Sequence, residues 1–290
     1  MLNRKNTTTN ETIAVVDHEP QRKLSIARPQ RLKSPGAGSS LSRLLNILEL
    51  FSLERTTVSV QDVARLYGVA RSTSYRLLGE LCETGLLAQL GKGVYSLGPR
   101  IIELERLLQL TDPLLGAGKQ VMKSMHGKAR NRAILLCTRY KDRVLCIHHV
   151  GAETIAFGDE QLVIRRGRGL PLPLFEGAAS LIILAHLPLH QLRSLYGANA
   201  DTILAAGLGG DFPSFRRHLG KIRRKGHART QSAVDARIVG LAVPILLGQE
   251  ILGSLAAIIA GTPEEHAQEP ALIALLESQA QRIAEIVSTV

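Results

Sequence analysis

The stretch from Ser59 to Leu97 constrains this chain most, because its local signals only make sense together. Ser59 followed three residues later by Asp62 is the start of a helix closed by a capping box. Val63, Ala64 and Leu66 give that helix one apolar face, and Gly68 ends it. A second helix begins between Ala70 and Ser72. Its Leu77, Leu78 and Leu81 point inward, which leaves Arg71, Ser72, Thr73, Tyr75 and Arg76 on the exposed N-terminal half. Arginine forks match guanine edges, and hydroxyls and a helix N-terminus accept phosphate, so this face suits the major groove of DNA.

The residues after the second helix extend the pattern. Gly85 closes it, Leu86 to Leu90 and Val94 to Leu97 read as two strands, and Gly91-Lys92-Gly93 turns between them. A helix-turn-helix followed by a hairpin is a winged helix, with Lys92 at the wing tip near the phosphate backbone. The bland alternative is a helical hairpin with a solvated basic face. Against it stands a preceding apolar helix, Leu41 to Phe51, with Leu44, Leu45, Leu48 and Phe51 along one side.

Bulk properties agree. At 290 residues with 45% hydrophobic content, the chain can hold two domains with real cores. A net charge of +11 favours an anionic partner, nucleic acid first. Low aromatic content, 3% with no tryptophan, argues against stacking on single strands. No apolar run approaches a membrane span, and the segment Met1 to Asn6 lacks the apolar core of a secretory leader, so no membrane partner is expected. Cys82, Cys137 and Cys146 form no disulfide framework and fit a reducing cytoplasm.

Taken in order, residues 1–39 read as a disordered basic tail, either an added DNA-binding arm or a dispensable extension. Pro99 opens a helix in which Ile101, Ile102, Leu104, Leu107, Leu108 and Leu110 cover much of the surface. So apolar a helix must be buried, either against a second copy or inside the chain's own core. Asp112-Pro113 restarts a helix running to about Lys128. Ala133 to Thr138 and Arg143 to His149 form a hairpin, and Gln161 to Arg166 another strand. Helices follow at Gly177 to His186 and Phe212 to Lys225. Strands span His227 to Thr230, Arg237 to Leu247 and Ile251 to Ala260, and Glu264 to Val290 closes the chain as a helix. Without strict βαβ alternation this is an α+β arrangement, an antiparallel sheet flanked by helices.

Arg71-Ser72-Thr73-Ser74-Tyr75-Arg76-Leu77-Leu78, Gly85-Leu86-Leu87 and Tyr95-Ser96-Leu97-Gly98 resemble the IclR family of bacterial transcription regulators. The likeness continues through Pro171-Leu172-Pro173-Leu174, Ile222 to His227, Val239 to Pro244 and Gly253-Ser254-Leu255. It implies a winged helix-turn-helix over residues 40–98, a linker helix over 99–111 packed between subunits, and a GAF-like effector-binding and oligomerisation domain over 112–290. It also implies a homodimer or homotetramer, a double-stranded DNA operator and a small-molecule effector. In that pattern backbone amides near Ala178 and Ala179 take a carboxylate, with Leu172, Thr230, Asp235, Gly240, Ile258 and Ala260 around the ligand; Arg168 and Glu176 are further polar groups nearby.

The chain departs from the family where many members carry His-Ala-Thr-Ala-x-Gly-Lys-Ala: Phe175 and Leu181 replace the histidine and the lysine. Ile258 and Ala260 stand where some relatives have serines, and Gly240 where a cysteine is frequent. The expected ligand is therefore a small organic acid with an apolar body.

Other chemistry is poorly supported. No phosphate-binding loop of the Gly-x-x-x-x-Gly-Lys type occurs, and Gly207 to Gly210 lacks a preceding strand. Pro188 breaks the spacing of His186 and His190. Cys137, Cys146, His148 and His149 could approach a metal, but buried strand cysteines are usually small core residues. Ser254 lacks a nucleophile elbow. No cofactor and no catalysis are expected. Two rivals remain: a metal sensor or enzyme on the same fold, and a non-specific basic DNA-binding protein.

Overall fold

The computed structural model describes residues 40–129, 131–158, 160–164, 167–231 and 235–289. The basic tail expected over residues 1–39 lies outside them.

Helix α1 (Ser40–Asn46) runs into a 3₁₀ segment, Ile47–Leu50. Leu44, Leu48 and Phe51 pack against the core as expected, and the expected face is corrected at Leu45 alone. Ile47 and Leu50 are buried, whereas Leu45 is 49% exposed and Leu41 64%. A 3₁₀ turn advances each residue by about 120° rather than about 100°, which puts Ile47 and Leu50, three residues apart, on the same buried side.

Helix α2 (Val60–Tyr67) starts on the predicted box. Ser59 Oγ accepts from the Asp62 amide at 3.1 Å, and the Asp62 carboxylate accepts from the Ser59 amide at 3.0 Å. The Ser59 hydroxyl, donating to the Asp62 carboxylate at 2.7 Å, and then the Ser59 amide hold that carboxyl below its ordinary value. Gly68 sits at φ +60°, the left-handed cap that a side chain would strain. Helix α3 (Arg71–Glu83) follows, then β2 (Leu87–Gly91) and β3 (Val94–Leu97). A strand not anticipated, β1 (Thr57–Ser59), pairs antiparallel with β3; three residues are too few to show alternation. Val58, Val63, Leu77, Leu78, Leu81, Leu87 and Tyr95 close the core of this unit.

Helix α4 (Arg100–Thr111) leads to α5 (Pro113–Met122), capped by the Asp112 carboxylate accepting from the Leu115 amide at 2.9 Å. Beyond them come β4 (Ala133–Tyr140), β5 (Arg143–Gly151), β6 (Thr154–Phe157), β7 (Glu160–Val163) and β8 (Pro171–Pro173). Helices α6 (Ala178–Ala185), α7 (Leu189–Ala205) and α8 (Phe212–Lys225) follow, then β9 (Ala228–Gln231), β10 (Ile238–Leu247), β11 (Glu250–Ala260) and α9 (Pro263–Val287). Six strands form one antiparallel sheet in the order β8-β5-β4-β11-β10-β9, while β6 and β7 pair by themselves.

The sheet is covered on both faces. Residues from α6, α7 and α8 pack on one side with Leu135, Cys137, Ala242 and Ala256. Residues from α5 and α9 pack on the other with Leu136, Leu241, Val243 and Ala257. Both faces being dry explains why β10 and β11 read as nearly continuous apolar runs. Pro244 is tolerated in β10 because β9 pairs only as far as residues 239–242, so no neighbour on that side needs its missing N–H.

Two other expectations shift. The strand expected over 161–166 is β7, ending at Val163, and it has an unanticipated partner in β6. Helix α7 escaped notice because only Leu192 and Ile203 of its 17 residues are buried and Asn199 leaves the helical conformation inside it. Among the described residues no helix is long and apolar enough to cross a membrane.

Candidate DNA-contact and ligand sites

Helix α3 buries Ser74, Leu77, Leu78 and Leu81 and exposes Arg71, Ser72, Tyr75 and Arg76; Thr73 is half-buried. Ser74 faces inward, its hydroxyl donating to the Ala70 carbonyl at 3.2 Å. The exposed arginines therefore stand on a helix whose opposite side is locked in the core. Arg76 makes an ion pair with Glu80 at 2.6 Å. That contact is solvent-exposed and weak enough to be exchanged for a phosphate or a base. The wing is tied to both helices: the Tyr75 hydroxyl of α3 lies against Gly93, and the Gly93 carbonyl accepts from the Val60 amide, at the start of α2, at 3.0 Å. Lys92 stands exposed at the tip between them. The structure thus brings the six sequence-singled residues, Arg71, Ser72, Thr73, Tyr75, Arg76 and Lys92, onto one unit.

Helix α4 inverts the usual arrangement. Its half-buried positions are Ile101, Glu105 and Gln109, four residues apart on one side. Ile102, Leu104, Leu107, Leu108 and Leu110 all face outward, Ile102 with 73% of its surface exposed. Among the described residues, no core covers this outward side of the helix. What holds it is polar. Arg168 grips Glu105 through two bonds, 2.6 Å and 3.0 Å, and also donates to the Ile147 carbonyl. Gln109 donates to Glu105 at 3.0 Å and accepts from Lys119 at 3.3 Å. Arg168 holds the Glu105 carboxyl below its ordinary value. Ile147 is the extra residue of a register shift, with Cys137 facing Cys146 on one side of it and Leu136 facing His148 on the other. Burial, then the positive charge of Lys119, pushes His148 below the ordinary histidine value. Arg168, singled out in the sequence as a polar group near the ligand, is bonded to Glu105 of α4.

The candidate ligand residues divide. Thr230, Gly240 and Ile258 occupy one row across β9, β10 and β11, and Ala178 lies directly above it. A Cβ added at Gly240 would sit 3.1 Å from the Thr230 hydroxyl, 3.5 Å from Ala178 Cβ and 3.8 Å from the Ala178 amide nitrogen. Glycine at this place lets the strand approach the start of α6. The helix begins at Gly177 without any side-chain cap, so its first amides keep their donor capacity. Ala179 is fixed by Ser254, whose hydroxyl donates to the Ala179 carbonyl at 3.0 Å. Ala260 lies two residues along β11, buried, opposite Ile238.

Two members do not fit this grouping. Leu172 sits on β8, at the opposite edge of the sheet from Thr230. Asp235 is engaged by Arg237 at 2.8 Å. One residue that the sequence did not flag is Ser180, 1% exposed in the first turn of α6, whose hydroxyl has no hydrogen-bond partner among the described residues. Only the lack of apolar character at that one position of α6 could have signalled it. Two described cavities lie elsewhere. One of about 420 Å³ runs between β10 and α9, beside Pro244 and Gln281, and one of about 230 Å³ lies under α9, beside Met125 and Arg132.

Cys137 and Cys146 face each other across β4 and β5, fully buried. His186 is buried with its Nδ1 2.9 Å from the Ile182 carbonyl, and burial lowers its pKa. Among the described residues no group of three or more His, Cys, Asp or Glu side chains gathers to hold a metal.

A helix-turn-helix braced by a wing, joined to a two-faced α+β sheet, defines a DNA-binding regulator. Residues 40–91 match the IclR helix-turn-helix domain. Over 253 residues the chain is 23% identical to the HTH-type transcriptional regulator TtgV of Pseudomonas putida, covering 86% of this chain and 92% of that protein. It is 20% identical over 259 residues to the probable regulator ArcR of Halobacterium salinarum, covering 87% and 95%. The fold is shared with an IclR regulator from Silicibacter at TM-score 0.66 and 24% identity, over 85% of this chain and 96% of that one. It is shared too with an IclR homologue from Microbacterium hydrocarbonoxydans complexed with 4-hydroxybenzoate, at TM-score 0.64 and 21% identity, over 87% and 100%. Residues 40–91 are thus an IclR-type helix-turn-helix domain, and the chain is similar over most of its length to transcriptional regulators of that type.

Proposed function

We propose that this regulator reads a specific operator with α3 and the wing, and that a small organic acid bound beside α6 controls that reading. The observation that carries the DNA half is the locked α3, with Arg71, Ser72, Tyr75 and Arg76 outward and Lys92 alongside. Phosphate contacts from Lys92 and Ser72 would set register, and arginine forks would discriminate guanine. Two copies are needed to read a palindromic site, and the outward Leu104, Leu107, Leu108 and Leu110 of α4 supply an apolar surface for a second copy to cover. The setting is the cytoplasm.

The effector half rests on the uncapped start of α6. The Ala178 and Ala179 amides, the unpartnered Ser180 hydroxyl and Thr230 offer donors, and Gly240, Ile258 and Ala260 offer small or apolar walls. A carboxylate suits the donors, as at any helix N-terminus, and an apolar body suits the walls. The complex of the Microbacterium homologue with 4-hydroxybenzoate supports a small aromatic acid as first probe. The test is a gel-shift series on fragments of the gene's own upstream region, with and without 4-hydroxybenzoate and related benzoates. Discrete shifted fragments lost in the Arg71→Ala, Arg76→Ala variant support the reading; uniform retardation of every fragment refutes it.

A further inference from the structure

We propose that the basic outer face of α8 is a second, sequence-independent contact for duplex DNA, separate from α3. Charge is unevenly placed along the chain. Residues 40–98 carry six Lys and Arg against five Asp and Glu, a net of only +1. Residues 99–290 carry 23 against 17, a net of +6. Helix α8 alone holds six cations, Arg216, Arg217, Lys221, Arg223, Arg224 and Lys225, and no acid, so it accounts for that whole excess. The unit that reads the operator is nearly neutral, yet affinity for DNA is dominated by neutralised phosphates.

The helix is built to present those cations rigidly. Phe215 and Leu219 are fully buried beneath it, Phe215 in ring contact with Phe175 and Tyr196. A capping box between Asp211 and Ser214 starts it, and a left-handed Gly226 ends it. All six cations are exposed, and none of them forms an ion pair with any described residue. From Arg216 to Lys225 the helix spans about 14 Å, a length over which duplex DNA carries about eight phosphates. Arg217, Lys221 and Arg224 form one stripe at helical spacing. A second copy of the chain is a poor occupant, since two such faces would repel one another.

The inference presumes that the chain binds DNA through α3, so the experiment separates the two. Binding of the full chain to a random-sequence duplex of about 60 base pairs is measured against salt for four proteins: wild type; Arg217→Gln, Lys221→Gln on α8; Arg71→Ala, Arg76→Ala on α3; and Lys123→Gln, Arg282→Gln as an equal-charge control away from both. Each lost phosphate contact lowers the slope of log K against log salt by about 0.9, so the α8 pair should lower it by about two units and the control by much less. The α3 variant should keep α8-dependent binding to random DNA. An α8 variant with the slope of the control overturns the proposal, and so does equal loss in both. Unchanged DNA binding with lost retention of poly-glutamate overturns it in favour of an acidic protein partner. Abolished DNA binding in the α3 variant alone would uphold the operator reading while refuting this one.

Discussion

The grip of Arg168 on Glu105 is one of the contacts that hold α4 to the rest of the chain, and its strength can be worked from the geometry. The two side chains are 28% and 40% exposed, so water screens them and the buried-pair scale does not apply. Exposed pairs give roughly 0.2–1 kcal/mol; two parallel bonds place this one at the upper end, about 1 kcal/mol. Arg168 also satisfies the Ile147 carbonyl, which would lose its charged donor. Arg168→Met should therefore cost about 2 kcal/mol and Glu105→Gln about 1 kcal/mol, with the double variant costing less than the sum by about 1 kcal/mol. Urea unfolding followed by circular dichroism at pH 7 reads all four corners of the cycle. The sign of the pH effect is fixed. Arg168 lowers the Glu105 carboxyl below its ordinary 4.5, so the contribution is complete above that pH and fades as pH falls through the lowered value. Wild type should lose its advantage over Glu105→Gln on acidification. Costs additive within about 0.3 kcal/mol, or an advantage unchanged by acid, would refute the joint.

Further outcomes are expected at the sites. Loss of Arg71 or Arg76 should cost roughly 1–3 kcal/mol at its own base pair, measured by competition against single-base operator variants. Lys92→Gln should weaken all sequences alike and flatten the salt slope by about one unit, which titrations at several salt concentrations will show. Leu104→Lys with Leu108→Lys should give monomers in sedimentation at micromolar protein while the helical signal persists; a dimer unaffected by both would remove α4 from the interface. Gly240→Val adds bulk within reach of the Ala178 amide in a strand where valine is favoured, so it should abolish effector response and leave operator binding. Ala179→Phe should do the same, with Ala179→Val as the milder check where the larger change unfolds the domain. A normal response in both would move the pocket elsewhere.

The elements legible in the sequence were those whose signals are local. The Ser59–Asp62 box, the left-handed Gly68, the Asp112-Pro113 start and the cap-to-cap span of α8 each depend on neighbours within a few residues, so the pattern carries them without tertiary knowledge. The apolar runs of β10 and β11 were legible for a related reason: two covered faces leave no alternation to misplace.

What the pattern could not supply was the identity of the partner on each face. Helix α4 shows this most clearly. Its leucines mark it as a helix to be covered, by a second copy or by the chain's own core, without saying which. In the structure they turn outward, and the inward side is Ile101, Glu105 and Gln109, held by Arg168 and Lys119 from 63 and 10 residues away. Nothing local links Glu105 to Arg168. The same limit divides the ligand residues: Thr230, Gly240 and Ile258 share a row because of strand register, whereas Leu172 was grouped with them by resemblance and lies at the far edge of the sheet. Ser180 is the converse case. A serine in an otherwise apolar helix reads as a neutral filler until burial is known; only then does its unpartnered hydroxyl stand out. Periodicity fixes which residues leave water, but register and long-range pairing decide what they meet, and the control of a regulator resides in those meetings.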